Sequence, residues 1–326
     1  MTGNQKKQVK VAVLDDFQNV SKTFAPWSEL DASVDFFTDH VSGEDLIARL
    51  HDYDVAVVIR ERSAMSRAVI ERLPNLKLIA TAGMRNNAID LDACAGHGVV
   101  VCGTQSASAP TAELALGLMI ALSRQIVAED QALRQGRWQT RVGSSLSGKT
   151  LGIVGLGKLG AQMAAYARML GMEVIAWSEH LSAERASAES ARAVSKSELF
   201  RTADFVSLHL VLSERTRGTV GAAEFALMKP TAFLVNTSRA GLVDQQALVD
   251  ALKTGKLGGA ALDVFDTEPL PITSDILTAP NTILTPHLGY ATSDTYSVYF
   301  PQIVEAIDAW LGGNPVRVLT AAPNAG

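Results

Sequence analysis

Three polar residues in the second half of the chain have side chains that could bind an organic acid and move a proton. Arg239, Glu268 and His287 each follow a short apolar segment of strand-like composition. An arginine binds a carboxylate through two parallel hydrogen bonds, and a histidine exchanges a proton near neutral pH. A carboxylate beside the histidine would hold its ring in one orientation. Each residue alone is typical of a surface or capping position, but together they predict a catalytic set.

A glycine-rich turn predicts a binding site for a dinucleotide. Gly155, Gly157 and Gly160 lie between a strand-like run at residues 150–154 and a helix-like run at residues 161–170. In that order the first glycine permits a tight turn, the second lets the backbone approach a pyrophosphate, and the third lets helix and strand pack closely. The start of the following helix would face the negative charge of the pyrophosphate.

The residue expected to bind the adenosine ribose is not an acid. Dinucleotide sites usually carry Asp or Glu about 20 residues beyond the glycines, where this chain has Ser178 followed by Glu179 and His180. Ser178 and His180 could accept a 2′-phosphate, and Arg185 could reach it, whereas Glu179 would repel it. The sequence therefore favours NAD as the cofactor and leaves NADP as the alternative.

The hydrophobic pattern supplies the elements that would position these residues. Strands are expected at residues 9–14, 34–37, 55–59, 76–81 and 99–101, and again at 150–154, 172–177, 205–208, 232–235, 259–262 and 282–284. Helical patterns separate them, and long helices are expected at residues 111–136 and 295–311. This alternation is typical of parallel sheets covered on both faces. The predicted fold is α/β, with two doubly wound parallel-sheet domains and a ligand-binding cleft between them.

Composition narrows the class of protein. The 326 residues suit two domains, and 47% hydrophobic with 19% charged residues suits a sizeable core. A formal net charge of −5 argues against nucleic acid as a partner. Cys94 and Cys102 are too few for a disulfide framework, and no cluster of residues has the spacing of metal ligands. The polar N-terminus lacks the apolar core of a signal peptide, and the apolar run at residues 114–122 is too short to span a membrane. We expect a cytoplasmic protein with no metal and no membrane partner.

The other histidines are expected to have structural settings. Four of them are expected at the surface: His40, His51, His97 and His180. His209 follows the strand-like run at residues 205–208 and is expected near the edge of the cofactor site.

The motifs together resemble the D-isomer-specific 2-hydroxyacid dehydrogenases. The matching segments are the glycine turn, Asn236-Thr237-Ser238-Arg239, Asp263-Val264-Phe265 with Glu268-Pro269-Leu270-Pro271, and Pro286-His287-Leu288-Gly289, in that family's order. The resemblance covers nearly the whole chain. It implies a flavodoxin-like substrate domain at residues 1–104 and 291–326, a Rossmann NAD(P)-binding domain at residues 105–290, and a homodimer with a contact near the helix that starts at Thr111.

The resemblance also implies a reversible hydride transfer between NAD(P)H and a 2-oxo acid. Arg239 would bind the carboxylate, His287 would act as general acid and base, and Glu268 would hold His287 in position. Asp263 would bind the nicotinamide carboxamide. The implied substrate contacts are Arg60, Gly83, Met84, Arg239 and His287. The implied cofactor contacts are Gly155, Gly157, Lys158, Leu159, Gly160, Ser178, Leu210, Val211, Thr216, Thr237, Ser238, Arg239, Asp263, His287 and Gly289.

Some residues of the chain depart from the family pattern. Ser178 replaces the usual acid, and Ala240 replaces a glycine that usually follows the arginine. The sequence ends soon after the last helix, so the regulatory extension of long phosphoglycerate dehydrogenases is not expected.

The main alternative function is that of an NAD-sensing binding protein of the corepressor type without significant turnover. A related enzyme acting on formate or phosphonate is a further alternative, although formate enzymes of this family carry glutamine where Glu268 stands.

Overall fold

A computed structural model describes residues 8–106 and 109–320 of the chain. It divides into two compact units, one formed by Met1–Ala107 with Thr292–Gly326 and the other by Ser108–Ala291. The boundaries expected from sequence, 104/105 and 290/291, lie beside these divisions at 107/108 and 291/292.

The first unit contains a five-stranded parallel sheet. Its strands are β1 (Val9–Val13), β2 (Ala32–Phe36), β3 (Val55–Val58), β4 (Leu78–Thr81) and β5 (Val100–Cys102). The helices between these strands are α1 (Ser21–Phe24), α2 (Gly43–Leu50), α3 (Arg67–Ile70) and α4 (Leu91–Gly96). The strand order is β2-β1-β3-β4-β5. This strand order is the one found in flavodoxin-like folds, and the chain reverses its direction of winding between β1 and β3.

The second unit contains a seven-stranded parallel sheet in the order β12-β11-β10-β9-β6-β7-β8. Its strands are β6 (Thr150–Val154), β7 (Glu173–Trp177), β8 (Arg192–Ala193), β9 (Phe205–Leu208), β10 (Phe233–Asn236), β11 (Gly259–Leu262) and β12 (Thr282–Leu284). Its helices are α5 (Ala109–Ser123), α6 (Ile126–Arg134), α7 (Lys158–Met169), α8 (Ala183–Ala188), α9 (Lys196–Thr202), α10 (Ala222–Leu227) and α11 (Gln245–Lys253). Winding reverses between β6 and β9, so the turn after β6 lies at the topological switch point.

The last helix belongs to the first unit. This helix, α12 (Ser293–Leu311), packs on β4 and α1. Its buried side chains include Tyr296, Tyr299 and Phe300. The final segment of the chain therefore completes the core of the unit that the first segment begins.

Both faces of the seven-stranded sheet are covered by apolar side chains. Within β9, Phe205 packs in the cluster that includes Met119 and Met163, whereas Val206 packs on the opposite face with Leu234 and Leu248. Successive residues of a strand point to opposite faces, so a strand buried on both faces must be apolar at nearly every position. This requirement explains the continuous apolar runs that made these strands recognisable in the sequence.

Some expected elements differ in the structure. The single helix expected at residues 111–136 is wrong, because Gln125 adopts a left-handed conformation with φ 57° and the chain bends by 60° between α5 and α6. The glycine-turn helix begins at Lys158 rather than at residue 161, so the last glycine of the motif lies in its first turn. The two-residue strand β8 was missed because it is too short to show a period.

No single helix among the described residues has the length and hydropathy needed to cross a membrane. The bent pair α5 and α6 meets those two criteria only when its helices are counted together.

Candidate functional site

The parallel direction of the strands brings the sequence motifs to one edge of the seven-stranded sheet. Taken along that edge, the positions that follow the strand ends are Ser178 after β7, Gly155 after β6, His209 after β9, Arg239 after β10, Asp263 after β11 and His287 after β12. Neighbouring strands lie about 4.8 Å apart, so the five spacings from β7 to β12 span about 24 Å. This edge carries the glycine turn in its middle and the histidine at one end.

His287 and Glu268 form a direct hydrogen-bonded pair. The His287 Nδ1 atom lies 2.7 Å from Glu268 Oε2, and the other Glu268 oxygen accepts the backbone N–H of Phe265 at 2.9 Å. The His287 side chain keeps 16% of its surface exposed. No hydrogen bond to His287 Nε2 is present among the described residues. One ring nitrogen is thus held by the carboxylate, and the other is open to a ligand.

The segment that carries His287 is tied to a fully buried carboxylate. Asp263 Oδ1 accepts the Thr285 hydroxyl at 2.6 Å and the Leu288 N–H at 2.7 Å, and Oδ2 accepts the Gly289 N–H at 2.8 Å. Burial raises the pKa of Asp263, although these hydrogen bonds and the nearby His287 oppose the shift. Asp263 therefore anchors the loop around His287, and Oδ2 retains one acceptor position.

The α5 helix gives a second anchor to the same loop. The Thr111 hydroxyl in its first turn donates to the Gly289 carbonyl at 2.8 Å. A Cβ at Gly289 would lie 3.1 Å from Asp263 Oδ2 and 3.2 Å from the Thr111 methyl group. The small residue after Leu288 is therefore required by the packing of the loop itself.

Arg239 lies in a turn that a buried asparagine stabilises. Asn236 donates from its side-chain amide to the Arg239 carbonyl at 3.0 Å and accepts the Ser238 N–H at 3.0 Å. The Ser238 hydroxyl donates to the Leu208 carbonyl at 2.8 Å, which joins the turn to β9. The guanidinium of Arg239 is partly buried and donates from Nη1 to the Ser238 carbonyl at 2.7 Å. The motif at residues 236–239 thus fixes where the arginine side chain leaves the backbone.

The three glycines of the turn have different surroundings. Gly155 has φ 99°, and a Cβ there would lie 2.8 Å from the His209 carbonyl carbon. A Cβ at Gly160 would overlap the Gly155 carbonyl oxygen. At Gly157, by contrast, a Cβ would have no neighbour within 4 Å. Packing within the chain explains the first and third glycines. The second glycine faces open space, in which a ligand could approach the protein backbone.

Buried polar atoms with no hydrogen-bond partner among the described residues follow the neighbouring strands β9 and β10. They are His209 Nδ1, whose ring is held through Nε2 by Ser207 at 2.8 Å, and Thr237 Oγ1. Burial lowers the pKa of His209 to about 4, so its ring is neutral at physiological pH. Unpaired buried polar atoms are costly. Together with the open space at Gly157, they fit a polar dinucleotide at this edge.

The remaining residues expected to contact the cofactor lie on or beside the same edge. Lys158 and Leu159 are in the first turn of α7, and Ser178 is half-buried after β7. Leu210, Val211 and Thr216 follow β9, where the Thr216 hydroxyl caps the loop by donating to the Val211 carbonyl at 2.7 Å. Val211 is 70% exposed.

The expected substrate contacts of the first unit follow two neighbouring strands. Arg60 comes after β3, and Gly83 and Met84 come after β4. The Gly83 N–H donates to the Thr104 hydroxyl at 2.8 Å, whereas the Met84 N–H makes no hydrogen bond among the described residues. The Met84 N–H is therefore open to a ligand.

Sequence reasoning placed His40 wrongly and missed its neighbours. His40 is only 18% exposed, and its Nδ1 lies 2.8 Å from Asp15 Oδ1. Asp15 is buried after β1 and also accepts hydrogen bonds from the Ser63 hydroxyl and, at its carbonyl, from Arg62. His51, His97 and His180 are exposed as expected. Within residues 8–106 and 109–320, no group of three or more His, Cys, Asp or Glu side chains is arranged to hold a metal ion.

Comparison with known proteins identifies the family. Residues 116–289 match the NAD binding domain of the D-isomer specific 2-hydroxyacid dehydrogenases. The chain belongs to this family. It is 38% identical to D-3-phosphoglycerate dehydrogenase of Methanocaldococcus jannaschii, over 86% of this chain and 54% of that protein. It is 35% identical to hydroxypyruvate reductase of Thermotoga maritima, over 84% of this chain and 90% of that protein.

The fold comparison agrees with the family. The crystal structure of a phosphoglycerate oxidoreductase from Vibrio cholerae O395 matches with a TM-score of 0.89 and 37% identity, over 94% of this chain and all of that one. The chain spans about half the length of the first phosphoglycerate dehydrogenases that it matches. The Rossmann fold and the NAD-binding domain predicted from sequence are confirmed.

Gly157 and Gly160 form a matched pair of positions for testing whether the glycine turn binds a dinucleotide. We expect Gly160→Ala to destabilise the protein by about 2 kcal/mol, because the added methyl overlaps a backbone oxygen. Gly157→Ala should leave stability within about 0.5 kcal/mol but weaken NADH binding at least about tenfold, because the methyl occupies the ligand's space. Chemical denaturation and NADH fluorescence titration measure the two effects. Unchanged NADH affinity in Gly157→Ala would contradict the assignment of dinucleotide binding to the glycine turn at this sheet edge.

Proposed function

We propose that the protein catalyses the reversible reduction of a 2-oxo acid to a D-2-hydroxy acid with NAD(P)H. The observation that carries this proposal is the His287–Glu268 pair, 2.7 Å apart, at the same sheet edge as the glycine turn. A histidine with one nitrogen held by a carboxylate and the other open is suited to deliver a proton to a substrate oxygen.

Each residue then has one role. Arg239 binds the substrate carboxylate and polarises the 2-oxo group. His287 protonates the 2-oxo oxygen during reduction through Nε2 and takes the proton back during oxidation. Glu268 orients the His287 ring, and Asp263 holds the loop that carries it. NAD(H), when bound, supplies or accepts the hydride.

The residues of the edge also account for cofactor binding. The glycine turn and the first turn of α7, with Lys158 and Leu159, would hold the pyrophosphate. Thr237 Oγ1 and the free acceptor position of Asp263 Oδ2 are open to polar groups of the dinucleotide. Ser178, in place of an acid, leaves NADP possible beside NAD.

An enzyme is favoured over a binding protein without turnover. The matching relatives are named as dehydrogenases and reductases of 2-oxo or 2-hydroxy acids, including a glyoxylate reductase of Thermococcus litoralis at 36% identity. The intact acid–base pair also favours catalysis. The cytoplasmic location and the lack of a nucleic-acid partner stay predictions from composition.

The acid–base role is tested by removing each member of the pair. We expect His287→Ala to lower kcat about a hundredfold or more with glyoxylate or hydroxypyruvate, because proton transfer is lost. Glu268→Gln should lower kcat less, about tenfold, since the imidazole remains but is held less firmly. NADH affinity, measured by fluorescence, serves as the control and should stay within about threefold. Full activity in His287→Ala would show that this role is wrong.

The first unit offers a second cation for the substrate. Arg85 follows the open Met84 N–H, is exposed, and has no hydrogen-bond or ion-pair partner among the described residues. An unpaired guanidinium beside a free backbone donor suits a second anionic or polar group on the 2-oxo acid.

Substrate panels test this use of Arg85. In Arg85→Gln we expect kcat/KM to fall about tenfold for 2-oxo acids with a second negative charge, such as oxaloacetate or 3-phosphohydroxypyruvate. Values for pyruvate and glyoxylate should stay within about twofold. Equal losses across the panel would contradict a role in selecting the second charge.

An exposed apolar surface supports a homodimer. Large apolar side chains between residues 126 and 142 are exposed: Ile126 (50%), Val127 (41%), Leu133 (56%), Trp138 (76%) and Val142 (98%). Clustered exposed apolar side chains mark protein interfaces. We infer that a second copy of the chain covers them, in keeping with the dimer that the family resemblance implies.

Sedimentation measurements test the dimer. We expect a dimer for the native protein at micromolar concentration and a monomer for the double variant Leu133→Ser with Trp138→Ser, because the apolar contact is lost. Ile272→Ser, at a site 90% exposed outside this surface, is the control and should remain dimeric. A native protein that sediments as a monomer would refute the proposal.

A further inference from the structure

The last described residues of the chain pair with the edge strand β5. This strand lies at one edge of the five-stranded sheet, and Val318 forms an antiparallel bridge with Cys102. The Leu319 N–H donates to the Val101 carbonyl at 2.7 Å, and the Leu319 side chain packs on the apolar core of the unit. The segment at residues 317–320 is therefore a fixed part of the first unit.

Arg317 connects this segment to the loop after β5. Its Nε atom donates to the Gly103 carbonyl at 2.9 Å, and the Arg317 carbonyl accepts the Gly103 N–H at 3.0 Å. Its Nη2 and Nη1 atoms donate to the Gln302 carbonyl at 2.6 Å and to Glu305 Oε2 at 2.9 Å. The Arg317 side chain is only 21% exposed. With all three of its nitrogens bound, the guanidinium holds the Gly103–Thr104 peptide against α12.

Thr104 binds both backbone groups of Gly83. The Thr104 hydroxyl accepts the Gly83 N–H at 2.8 Å, and the Thr104 N–H donates to the Gly83 carbonyl at 3.4 Å. Thr104 is buried, with 1% of its surface exposed. A Cβ at Gly103 would lie 2.8 Å from the Gly83 carbonyl oxygen, so a glycine is needed for the two loops to approach this closely.

The bond to the Gly83 carbonyl determines the direction of the Met84 N–H. These two groups belong to one trans peptide, which is planar, so they point in opposite directions. Because the carbonyl points towards Thr104, the Met84 N–H points away from it. This N–H makes no hydrogen bond among the described residues. The contacts of Thr104 therefore keep a free backbone donor in one direction.

We propose that Arg317 and Thr104 are positioning residues for substrate binding. Arg317 holds the Gly103–Thr104 peptide, and Thr104 holds Gly83. The Met84 N–H is thereby aimed at a carboxylate oxygen of the 2-oxo acid. The inference rests on the proposed function through this N–H. Because the carboxylate keeps its charge throughout the hydride transfer, the hydrogen bond is equally strong before and during the reaction. Its loss therefore weakens substrate binding and leaves turnover unchanged.

Two substitutions of Thr104 test the hydroxyl. Thr104→Val replaces the hydroxyl by a methyl group of similar size, whereas Thr104→Ser keeps the hydroxyl. We expect Thr104→Val to raise the KM for glyoxylate and hydroxypyruvate about tenfold, the scale of a hydrogen bond to a charged group, with kcat within about twofold. Thr104→Ser should leave both constants within about twofold. A role in packing alone predicts a larger effect of the smaller serine, and that result would overturn the proposal.

Arg49 provides a matched control for Arg317. It is 15% exposed, and it donates to the Asp39 carbonyl at 3.2 Å and to the Asp39 carboxylate at 2.6 Å. Asp39 follows β2, the strand at the opposite edge of the sheet from β5. We expect Arg317→Met to raise the KM about tenfold with kcat within about twofold, and Arg49→Met to leave both constants within about twofold. Equal KM changes in the two variants would overturn the proposal.

A second measurement does not depend on activity. In protein that contains ¹⁵N-labelled methionine, the Met84 amide resonance is assigned by its loss in Met84→Leu. This resonance should shift in Thr104→Val and Arg317→Met but stay in place in Thr104→Ser and Arg49→Met, because only the first two release the Gly83–Met84 peptide. An unchanged resonance in Thr104→Val and Arg317→Met would refute the positioning role.

Oxamate, an unreactive analogue of glyoxylate, separates this proposal from the proposed function. With NADH bound, oxamate should shift the Met84 amide resonance of the native protein. A native protein that reduces glyoxylate but shows no such shift would overturn the role of Met84, while the proposed function would stand. A native protein that reduces no 2-oxo acid would refute the proposed function and this proposal together.

Discussion

The common direction of the seven strands in the second unit is the constraint on which its site depends. Because all strands are parallel, every strand ends at the same edge, and each loop that follows a strand starts there. Residues from segments far apart in sequence, such as Gly155 and His287, therefore share one edge. The apolar runs that bury both sheet faces thus stabilise the arrangement that brings these residues to one edge.

Within that edge, buried hydrogen bonds decide how firmly the reactive groups are held. His287 has φ 54°, so its loop is not a low-energy turn by itself. Three hydrogen bonds to the buried Asp263 carboxylate and one from Thr111 hold the backbone on either side. The ring is then fixed by Glu268, whose second oxygen accepts the backbone N–H of Phe265. Precision at His287 comes from these neighbours and not from the histidine.

The sequence predicted the strands and motifs well because both are short-range patterns. Apolar runs and glycine spacing are visible within a few residues, and so were Arg239, Glu268 and His287. The break at Gln125 escaped detection because residues 118–135 around it contain no proline or glycine. The partnership of His40 with Asp15 also escaped, because it joins segments after different strands. Asp263 was assigned to a ligand, whereas its bonds to residues 285–289 become visible only when the strands are side by side.

In the two units, different kinds of residue support the polar groups, and this difference limits what a sequence motif can predict. In the second unit, Arg239 is held by Asn236 of the same motif, and the His287 ring is held by Glu268 of another motif. In the first unit, the Arg60 carbonyl is held by the side-chain amide of Asn86, which follows the next strand and belongs to none of the motifs. Such support belongs to the folded unit and not to a local segment.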